Sequence, residues 1–224
     1  MSEFVVSVAS EQHLEFAEQI CKEIEESAKA RGTGIAKRNP EYIKQKMREG
    51  KAVIAFTGEG HLAGFCYIES WGHDKFVANS GLIVVPKFRL GGLATKIKEE
   101  AFNLSRSKFP TAKLFGLTTS QAVMKINAQL GYDKVQFAEL TDDKDFWKGC
   151  SSCINYDILS STDQKHCLCT GMLYDPEKKE KAAKLTTEEP ILAVEEEKAD
   201  AIEPIKRQYG VAYPKAYELD EVFC

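Results

Sequence analysis

The 224-residue sequence contains no apolar run long enough to cross a bilayer, and its start has neither the basic residues nor the apolar stretch of an export signal. It also lacks an excess of basic residues, because 30 lysines and arginines face 34 aspartates and glutamates, for a net charge of −4. This balance disfavours nucleic acid and anionic membranes as partners. We therefore expect a cytoplasmic protein with no membrane or nucleic-acid partner and enough apolar residues for one core.

A disulfide framework is not expected either, because the cysteines number seven, which is odd, and an export signal is missing. Four of them lie close together as Cys150-x-x-Cys153 and Cys167-x-Cys169. Four thiolates can bind structural zinc tetrahedrally, and His166 can replace one of them. Two other interpretations remain open. Cys167 and Cys169 fit one buried face of a strand, and Cys150 and Cys153 fit a redox pair.

Apolar periodicity predicts alternating strands and helices along the first 140 residues. Strands are predicted at 4–8, 51–57, 62–69, 76–85, 113–118 and 134–140. Helices are predicted from Ser10 to a break at Gly32-Thr33-Gly34, at 40–50, after a glycine pair at 91–92, and at 121–130. This order predicts a single α/β (α+β) domain with a mixed sheet.

Composition divides the chain into a core at 1–145, a Cys-rich extension at 146–175, and a charged linker and tail at 176–224. Glu, Lys and Ala dominate from 176 to about 200, which predicts a solvated linker or an isolated helix. Aromatic residues return at 209–223. They predict a tail that docks on the domain or on a second subunit, and the second arrangement would be a homodimer.

The helix after the glycine pair is predicted to be amphipathic. Its apolar stripe consists of Leu93, Ile97, Ala101 and Leu104. The residues predicted to point outward into solvent are Lys96, Lys98, Glu99 and Arg106.

The glycine pair lies in the segment Arg89-Leu90-Gly91-Gly92-Leu93-Ala94, between the strand at 76–85 and this helix. The first turn of a helix has unpaired backbone N–H groups and the positive end of the helix dipole, so it attracts anions. Gly91 and Gly92 lack the Cβ that would keep a phosphate from the backbone, and Arg89 adds a permanent positive charge. The alternative is a strand–helix corner with a surface arginine.

The spacing Arg-x-x-Gly-x-Ala in this segment resembles the pyrophosphate-binding signature of the GNAT acetyltransferase superfamily. The segment Gln129-Leu130-Gly131-Tyr132 is similar to the Leu-Gly-Phe/Tyr ending of that family. The resemblance spans about residues 4–140 and implies a mostly antiparallel central sheet flanked by helices, with acetyl-CoA or another acyl-coenzyme A as co-substrate. The implied coenzyme A contacts are Leu82, Ile83 and Val84 for the pantetheine, Arg89, Leu90, Gly91, Gly92, Leu93 and Ala94 for the pyrophosphate, and Ser120 and Asn127.

The sequence departs from this family at the position of its usual proton donor. Many members have a Tyr four residues before the Gly of Leu-Gly-Phe, and this sequence has Asn127 there. The thiolate then leaves unaided, with water or with another residue, while the Asn127 amide can contact the cofactor or the oxyanion. Glu69 is the first candidate for the general base, followed by Ser80, Asn79 and His73. A solvent-exposed charge at Glu69 and a loop histidine at His73 are the simpler interpretations.

The segment that walls the acceptor site in this family corresponds to the glycine break, which Arg31, Lys37 and Arg38 flank. Three cations suit an acceptor that carries a carboxylate, and a solvated basic loop is the alternative. The stretch at 146–176 resembles bacterial GNAT-type proteins associated with arginine biosynthesis, whose acceptor would be glutamate.

The resemblance therefore implies an N-acetyltransferase that transfers an acetyl or other short acyl group to the primary amine of a small acceptor, with an amino acid such as glutamate as one candidate. Three alternatives remain open: an enzyme that acetylates protein N-termini or lysines, a non-catalytic acyl-CoA sensor, and an interaction module whose fold is stabilised by zinc.

Overall fold

A computed structural model of the protein describes residues 4–32 and 38–187. Its strands are β1 Phe4–Val8, β2 Ala52–Thr57, β3 Leu62–Trp71, β4 Phe76–Val84, β5 Lys113–Thr118, β6 Asp133–Val135 and β7 Thr170–Tyr174. Its helices are α1 Ala17–Arg31, α2 Pro40–Arg48, α3 Leu93–Lys108, α4 Gln121–Gln129, α5 Lys144–Lys148, α6 Tyr156–Ser161 and α7 Pro176–Thr187. The linker beyond 187, the tail at 209–223, Lys37 and the side chain of Arg31 lie outside the described residues.

The described strands form a seven-stranded sheet in the order β1-β2-β3-β4-β5-β7-β6. The β4–β5 pair is parallel, and the other pairs are antiparallel. This confirms the mixed, mostly antiparallel sheet. The strand predicted at 134–140 is wrong beyond Val135, because Phe137–Glu139 forms a 3-10 turn. The place of β7 was not anticipated, since it comes from the Cys-rich extension and lies between β5 and β6.

Helices cover both faces of the sheet. On one face, α1 and α2 pack Ile20 and Ile43 against Ile54 of β2 and Phe65 of β3. On the other face, the Ile97 stripe of α3 joins a core with Cys66, Ile68 and Leu114. A third cluster forms around Phe115 and Trp147 next to β7. Among the described helices, none has the length and apolar character needed to cross a membrane.

The prediction that Lys98 points outward is wrong, because its side chain in α3 is only 3% exposed. Lys98 precedes Ala101 by three residues and Ser105 by seven, and both of these are fully buried. Side chains at this spacing share one face of a helix, so Lys98 belongs to a second buried stripe of α3. The other three residues of that group, Lys96, Glu99 and Arg106, lie at exposed or half-buried positions.

The parallel pairing of β4 and β5 is short. It runs from Phe76 opposite Lys113 to Ala78 opposite Phe115 and then stops, although both strands continue. Directly beyond it, the β3–β4 register shifts, so that two residues of β4 face Cys66 of β3. Such a bulge bends its strand and increases the local twist. The two central strands therefore diverge from residue 79 onward and leave a gap in the sheet.

Gly81 occupies this bulge with φ of +65°, a conformation that favours glycine. A Cβ at Gly81 would lie 2.7 Å from Cε1 of Tyr67, which is closer than carbon atoms approach each other. The position therefore needs glycine both for its backbone conformation and for the close approach of the Tyr67 ring.

We predict that Gly81→Ala lowers the free energy of unfolding by about 2–4 kcal/mol, because left-handed strain and a steric clash add together. Gly60→Ala is the matched control, since Gly60 has φ of +83° and no atom within 4 Å of the added Cβ. It should lose only about 1–2 kcal/mol. Urea denaturation of the two variants measures the difference. Equal losses would mean that the contact with Tyr67 does not constrain the bulge.

Candidate active site

The gap between β4 and β5 opens into a cavity of about 680 Å³. Residues from both sides of the sheet line it, so the cavity passes from one helical layer to the other through the gap. On the α1/α2 side the lining includes Arg38, Tyr42, Tyr67 and Glu69. On the α3/α4 side it includes Lys98, Ser120, Val123 and Asn127. The diverging strands contribute Asn79, Ser80, Gly81, Leu82, Gly116 and Leu117.

Glu69, the first candidate base, sits in a charged cluster on the α1/α2 side. Nζ of Lys46 lies 2.5 Å from its Oε2, and the Tyr42 hydroxyl donates a hydrogen bond to the same oxygen. Lys46 also lies over the Tyr42 ring at 4.9 Å from the centroid. Burial, together with the neighbouring Tyr67 and Glu69, raises the pKa of Tyr42, so the phenol stays protonated. Both contacts engage Oε2, and Oε1 has no hydrogen-bond partner among the described residues.

Arg38 brings a positive charge to the same side of the cavity. Its Nε donates a 2.6 Å hydrogen bond to the Tyr67 hydroxyl. Burial raises the pKa of Tyr67, while the nearby Arg38 opposes that rise. Of the three cations predicted to wall an acceptor site, Arg38 is the one whose side chain the structure describes, and it lines the cavity.

Lys98 brings a second positive charge, on the opposite side of the sheet. Its Nζ lies 3.2 Å from Oδ1 of Asn79, which also accepts a 2.8 Å hydrogen bond from the Tyr132 hydroxyl. The Asn79 amide donates to Oγ of Ser105 at 2.9 Å, so its orientation is fixed. Burial lowers the pKa of Lys98, and the neighbouring Cys66 opposes this in part. Sequence reasoning missed Lys98 because a lysine between apolar positions is usually assigned to solvent.

Asn127 lies on α4 with its side chain 1% exposed. Its Nδ2 contacts Sδ of Met172 at 3.6 Å, and its buried Oδ1 has no hydrogen-bond partner among the described residues. Ser120 caps α4, because its Oγ accepts a hydrogen bond from the Val123 amide. Asn79 and Ser80 line the cavity, but the loop residue His73 is exposed and does not. The cavity therefore brings together Glu69, Ser80 and Asn127 of the predicted site, together with Ser120.

The predicted phosphate loop follows β4 and leads into α3. Arg89 donates from Nε to the Val84 carbonyl at 3.0 Å and from Nη2 to Oγ of Ser27 at 2.9 Å, which holds the loop against α1. Leu90 is fully exposed with φ of +71°, and Gly92 caps α3 with φ of +75°. Leu82 lines the cavity, whereas the Ile83 and Val84 side chains are buried in the core.

The space in front of this loop is open. A Cβ at Gly92 would meet no atom within 4 Å, and one at Gly91 would meet only the Phe4 ring at 3.9 Å. The first turn of α3 begins here with Leu93 and Ala94, and such turns present unpaired N–H groups. An anion can therefore approach the backbone, and a pyrophosphate fits this helix start.

Comparisons with known proteins identify the fold. No protein-family model matches the sequence, and no curated protein matches it. Solved structures do match: N-acetylglutamate synthase from Neisseria gonorrhoeae, complexed with coenzyme A and N-acetyl-glutamate, has a TM-score of 0.55 at 14% identity over 78% of this chain. The match covers 35% of that synthase, so this chain spans about a third of its length.

Two smaller proteins match over most of their own length. A Mycobacterium tuberculosis protein in complex with coenzyme A has a TM-score of 0.54 at 15% identity, with 76% of this chain and 98% of that chain covered. Diaminobutyrate acetyltransferase EctA from Paenibacillus lautus, in complex with L-2,4-diaminobutyric acid and coenzyme A, has a TM-score of 0.53 at 10% identity, with coverages of 79% and 96%. The chain has the GNAT acetyltransferase fold.

The Cys-rich segment adds a wall to this GNAT fold. Residues 145–153 supply much of the cavity lining beyond β5, including Phe146, Cys150 and Cys153. The Gly72 amide donates to Oδ2 of Asp143 at 3.0 Å, which fastens the segment to the β3–β4 turn. This hydrogen bond lowers the pKa of Asp143, so the contact is present at neutral pH.

Four cysteines of this segment, Cys150, Cys153, Cys167 and Cys169, surround a second, apolar cavity of about 30 Å³. Burial raises the pKa of Cys150 to about 11 and that of Cys169 to about 12. Among the described residues, no group of three or more His, Cys, Asp or Glu side chains is arranged to hold a metal ion. The zinc site at these four cysteines stays a prediction, and three of them, Cys150, Cys167 and Cys169, pack beside a hydrophobic cluster.

We predict that Lys98→Met stabilises the protein at pH 7 by about 1 kcal/mol or more, because it removes a buried charge that has no carboxylate partner among the described residues. The lowered pKa of Lys98 in the folded state means that the unfolded chain binds the proton more tightly, so the stability of the parent protein rises with pH. The advantage of the variant should therefore shrink as the pH approaches 10.5, the ordinary pKa of lysine.

Urea denaturation between pH 7 and pH 10 measures this difference. Lys96→Met, which changes an exposed lysine of the same helix, should show no such pH dependence. A stability difference for Lys98→Met that stays constant over this range would contradict the burial of a charged amine.

Proposed function

We propose that this protein is an acyl-coenzyme A-dependent N-acetyltransferase that acts on the primary amine of a small acceptor. The observation that supports this most is the cavity that crosses the sheet. It joins the α3/α4 side of the sheet to the α1/α2 side, where Glu69 and Arg38 lie. The phosphate loop leads into α3 on the first of these sides. A two-substrate transfer needs such a passage, because donor and acceptor must meet at one point.

The α3/α4 side is the donor half of the proposed site. The N–H groups at the start of α3 and the open space before Gly91 and Gly92 suit the pyrophosphate of coenzyme A. From there the pantetheine would follow β4 along Val84, Ile83 and Leu82 into the gap. The structurally similar proteins support this assignment, since their structures contain coenzyme A or acetyl-CoA.

The α1/α2 side is the acceptor half. In this proposal Oε1 of Glu69 accepts a proton from the attacking amine, while Lys46 and Tyr42 hold the carboxylate through Oε2. The guanidinium of Arg38 suits a carboxylate of the acceptor. An amino acid carries both an amine and a carboxylate, so a free amino acid such as glutamate is the acceptor that this pair of groups fits best. The structurally similar N-acetylglutamate synthase was solved with N-acetyl-glutamate, which supports the same class.

Release of free thiol from acetyl-CoA, measured across a panel of amino acids, polyamines and peptides, tests the proposal. We expect glutamate or another amino acid to stimulate release. Stimulation by peptides alone would assign the protein to protein acetylation instead. Binding of acetyl-CoA with no stimulation by any acceptor would overturn the enzyme assignment in favour of an acyl-CoA sensor.

We predict that Arg38→Ala raises KM for the preferred amino acid about 10- to 100-fold, the loss expected for one charged hydrogen-bonding partner. KM for an amine of similar size without a carboxylate should stay within about threefold, since Arg38 would not contact it. Arg48→Ala is the matched control, because Arg48 is an exposed arginine of α2. An equal rise in KM for both amines would exclude Arg38 as the carboxylate-binding group.

We predict that Glu69→Gln lowers kcat about 100-fold or more, because a carboxamide keeps the shape and the Tyr42 hydrogen bond but does not accept a proton. The rate is measured per folded molecule, since Lys46 loses its 2.5 Å contact with a carboxylate in this variant and keeps only the 3.8 Å contact with Glu49. Glu59→Gln, in the exposed β2–β3 turn, is the control for loss of an acidic charge. An unchanged kcat in Glu69→Gln would remove Glu69 from the proton transfer.

A further inference from the structure

The donor half of the cavity contains a cation to which the proposed function has assigned no role. Lys98 reaches the point where β4 and β5 separate, since its Nζ lies 3.2 Å from the side chain of Asn79, the first residue of β4 beyond the paired region. Gly116 of β5 and Asn127 of α4 meet at the same place. A Cβ on Gly116 would lie 4.0 Å from both the Asn79 carbonyl and Nδ2 of Asn127.

Lys98 is held at this point without a compensating negative charge. Its side chain is 3% exposed and lines the cavity, and it forms no ion pair with a carboxylate among the described residues. Its Nζ contacts the amide oxygen of Asn79 and lies over the Tyr132 ring, 5.6 Å from the ring centroid. A buried lysine without a carboxylate partner lowers the stability of the fold. Such a residue at a cavity wall is therefore a candidate for a functional role.

We propose that Lys98 protonates the sulfur atom of the departing coenzyme A thiolate, and that its ammonium stabilises that thiolate as it forms. This proposal rests on the acyl-CoA-dependent function proposed above. The acceptor nitrogen forms a bond to the thioester carbonyl carbon, the carbon–sulfur bond breaks, and its electron pair goes to sulfur. Lys98 then gives one proton to sulfur and is left as a neutral amine. Glu69 takes the proton that the acceptor nitrogen loses and then releases it to solvent. Lys98 regains its proton from water.

Several other polar groups in or beside the cavity are less suited to this step. Arg38, Tyr42 and Tyr67 lie on the acceptor side of the sheet, and Arg38 remains protonated at all relevant pH values. The Asn127 amide is not an acid. The hydroxyl of Tyr132 already donates to Asn79, and burial raises its pKa further above neutral.

The surroundings of Lys98 also favour proton donation. Burial lowers its pKa below the ordinary value of 10.5, which makes the ammonium a stronger proton donor. The titratable groups nearest to it are Cys66 of β3 and Tyr132. Burial raises the pKa of Cys66 to about 11 and that of Tyr132 further, so both groups are neutral at pH 7.

The first test measures the thiol of bound coenzyme A directly, by ultraviolet absorbance of the thiolate as a function of pH, and requires no turnover. An ammonium beside the sulfur favours the thiolate. We therefore expect Lys98→Met to hold at least about tenfold less thiolate than the parent protein at the same pH. Lys98→Arg should keep most of the thiolate, because it keeps the charge. Lys98→Gln serves as a second neutral variant that can still donate to Asn79.

The second test is the pH profile of kcat with acetyl-CoA. In the parent protein kcat should fall at alkaline pH as Lys98 loses its proton, and in Lys98→Met kcat should be about 100-fold lower without this alkaline fall. A residue that only supports the fold would lower kcat without changing the shape of the profile. The control is Lys96→Met, an exposed lysine of α3, which should leave the thiolate fraction and the profile unchanged.

The two proposals fail in different ways. If the parent protein binds no coenzyme A, the proposed function is overturned. If it binds coenzyme A and turns over acetyl-CoA, but Lys98→Met and Lys98→Gln leave both the thiolate fraction and the shape of the pH profile unchanged, the role of Lys98 is overturned while the function stands.

Discussion

The early end of pairing between β4 and β5 is the constraint on which the rest of the site depends. Hydrogen bonds join these parallel strands only up to Ala78 and Phe115, although both strands continue. The bulge at Gly81 maintains the separation, since it bends β4 while β4 stays paired with β3 on its other side. Without the gap the two helical layers would be sealed from each other. With it, groups from both layers meet in one cavity, and backbone groups of β4 are left for a ligand.

The charges on the two sides of this gap are arranged differently. On the α1/α2 side Glu69, Lys46 and Tyr42 form a compact cluster in which each group has a partner, so the cluster holds its geometry. On the donor side Lys98 is buried with neutral neighbours only. A buried charge without a counter-charge is costly, and burial lowers the pKa of Lys98. In the mechanism proposed for Lys98, its ammonium lies where the leaving thiolate needs a proton.

Local patterns were enough to predict most of the core elements. Each of these patterns, such as strand alternation, the helix start at Pro40 and the glycine pair, involves only residues that are close together in the sequence. The cavity lining at Glu69, Ser80, Ser120 and Asn127 also followed from the family resemblance. Lys98 was assigned to solvent because its helix carries two buried stripes, and only the packing against Asn79 and Tyr132 shows the second one. The pairing of β7 with β5 could not be predicted from local patterns either, since residues 170–174 pair with a strand more than fifty positions earlier.

The position of β7 explains how a segment outside the first 140 residues comes to shape the site. Because β7 lies between β5 and β6, the chain from α5 to α6 connects β6 to the strand that is inserted between it and β5. Trp147 fixes this path by packing beside Phe137 and donating from Nε1 to the Thr141 carbonyl at 2.8 Å. Phe146 packs against Phe115 of β5, with ring centroids 4.9 Å apart, and so holds the wall that includes Cys150 and Cys153 against the strand that borders the gap. The cavity wall and the sheet opening are therefore parts of one packed unit, and a change in the Cys-rich segment would alter the width of the cavity at β5.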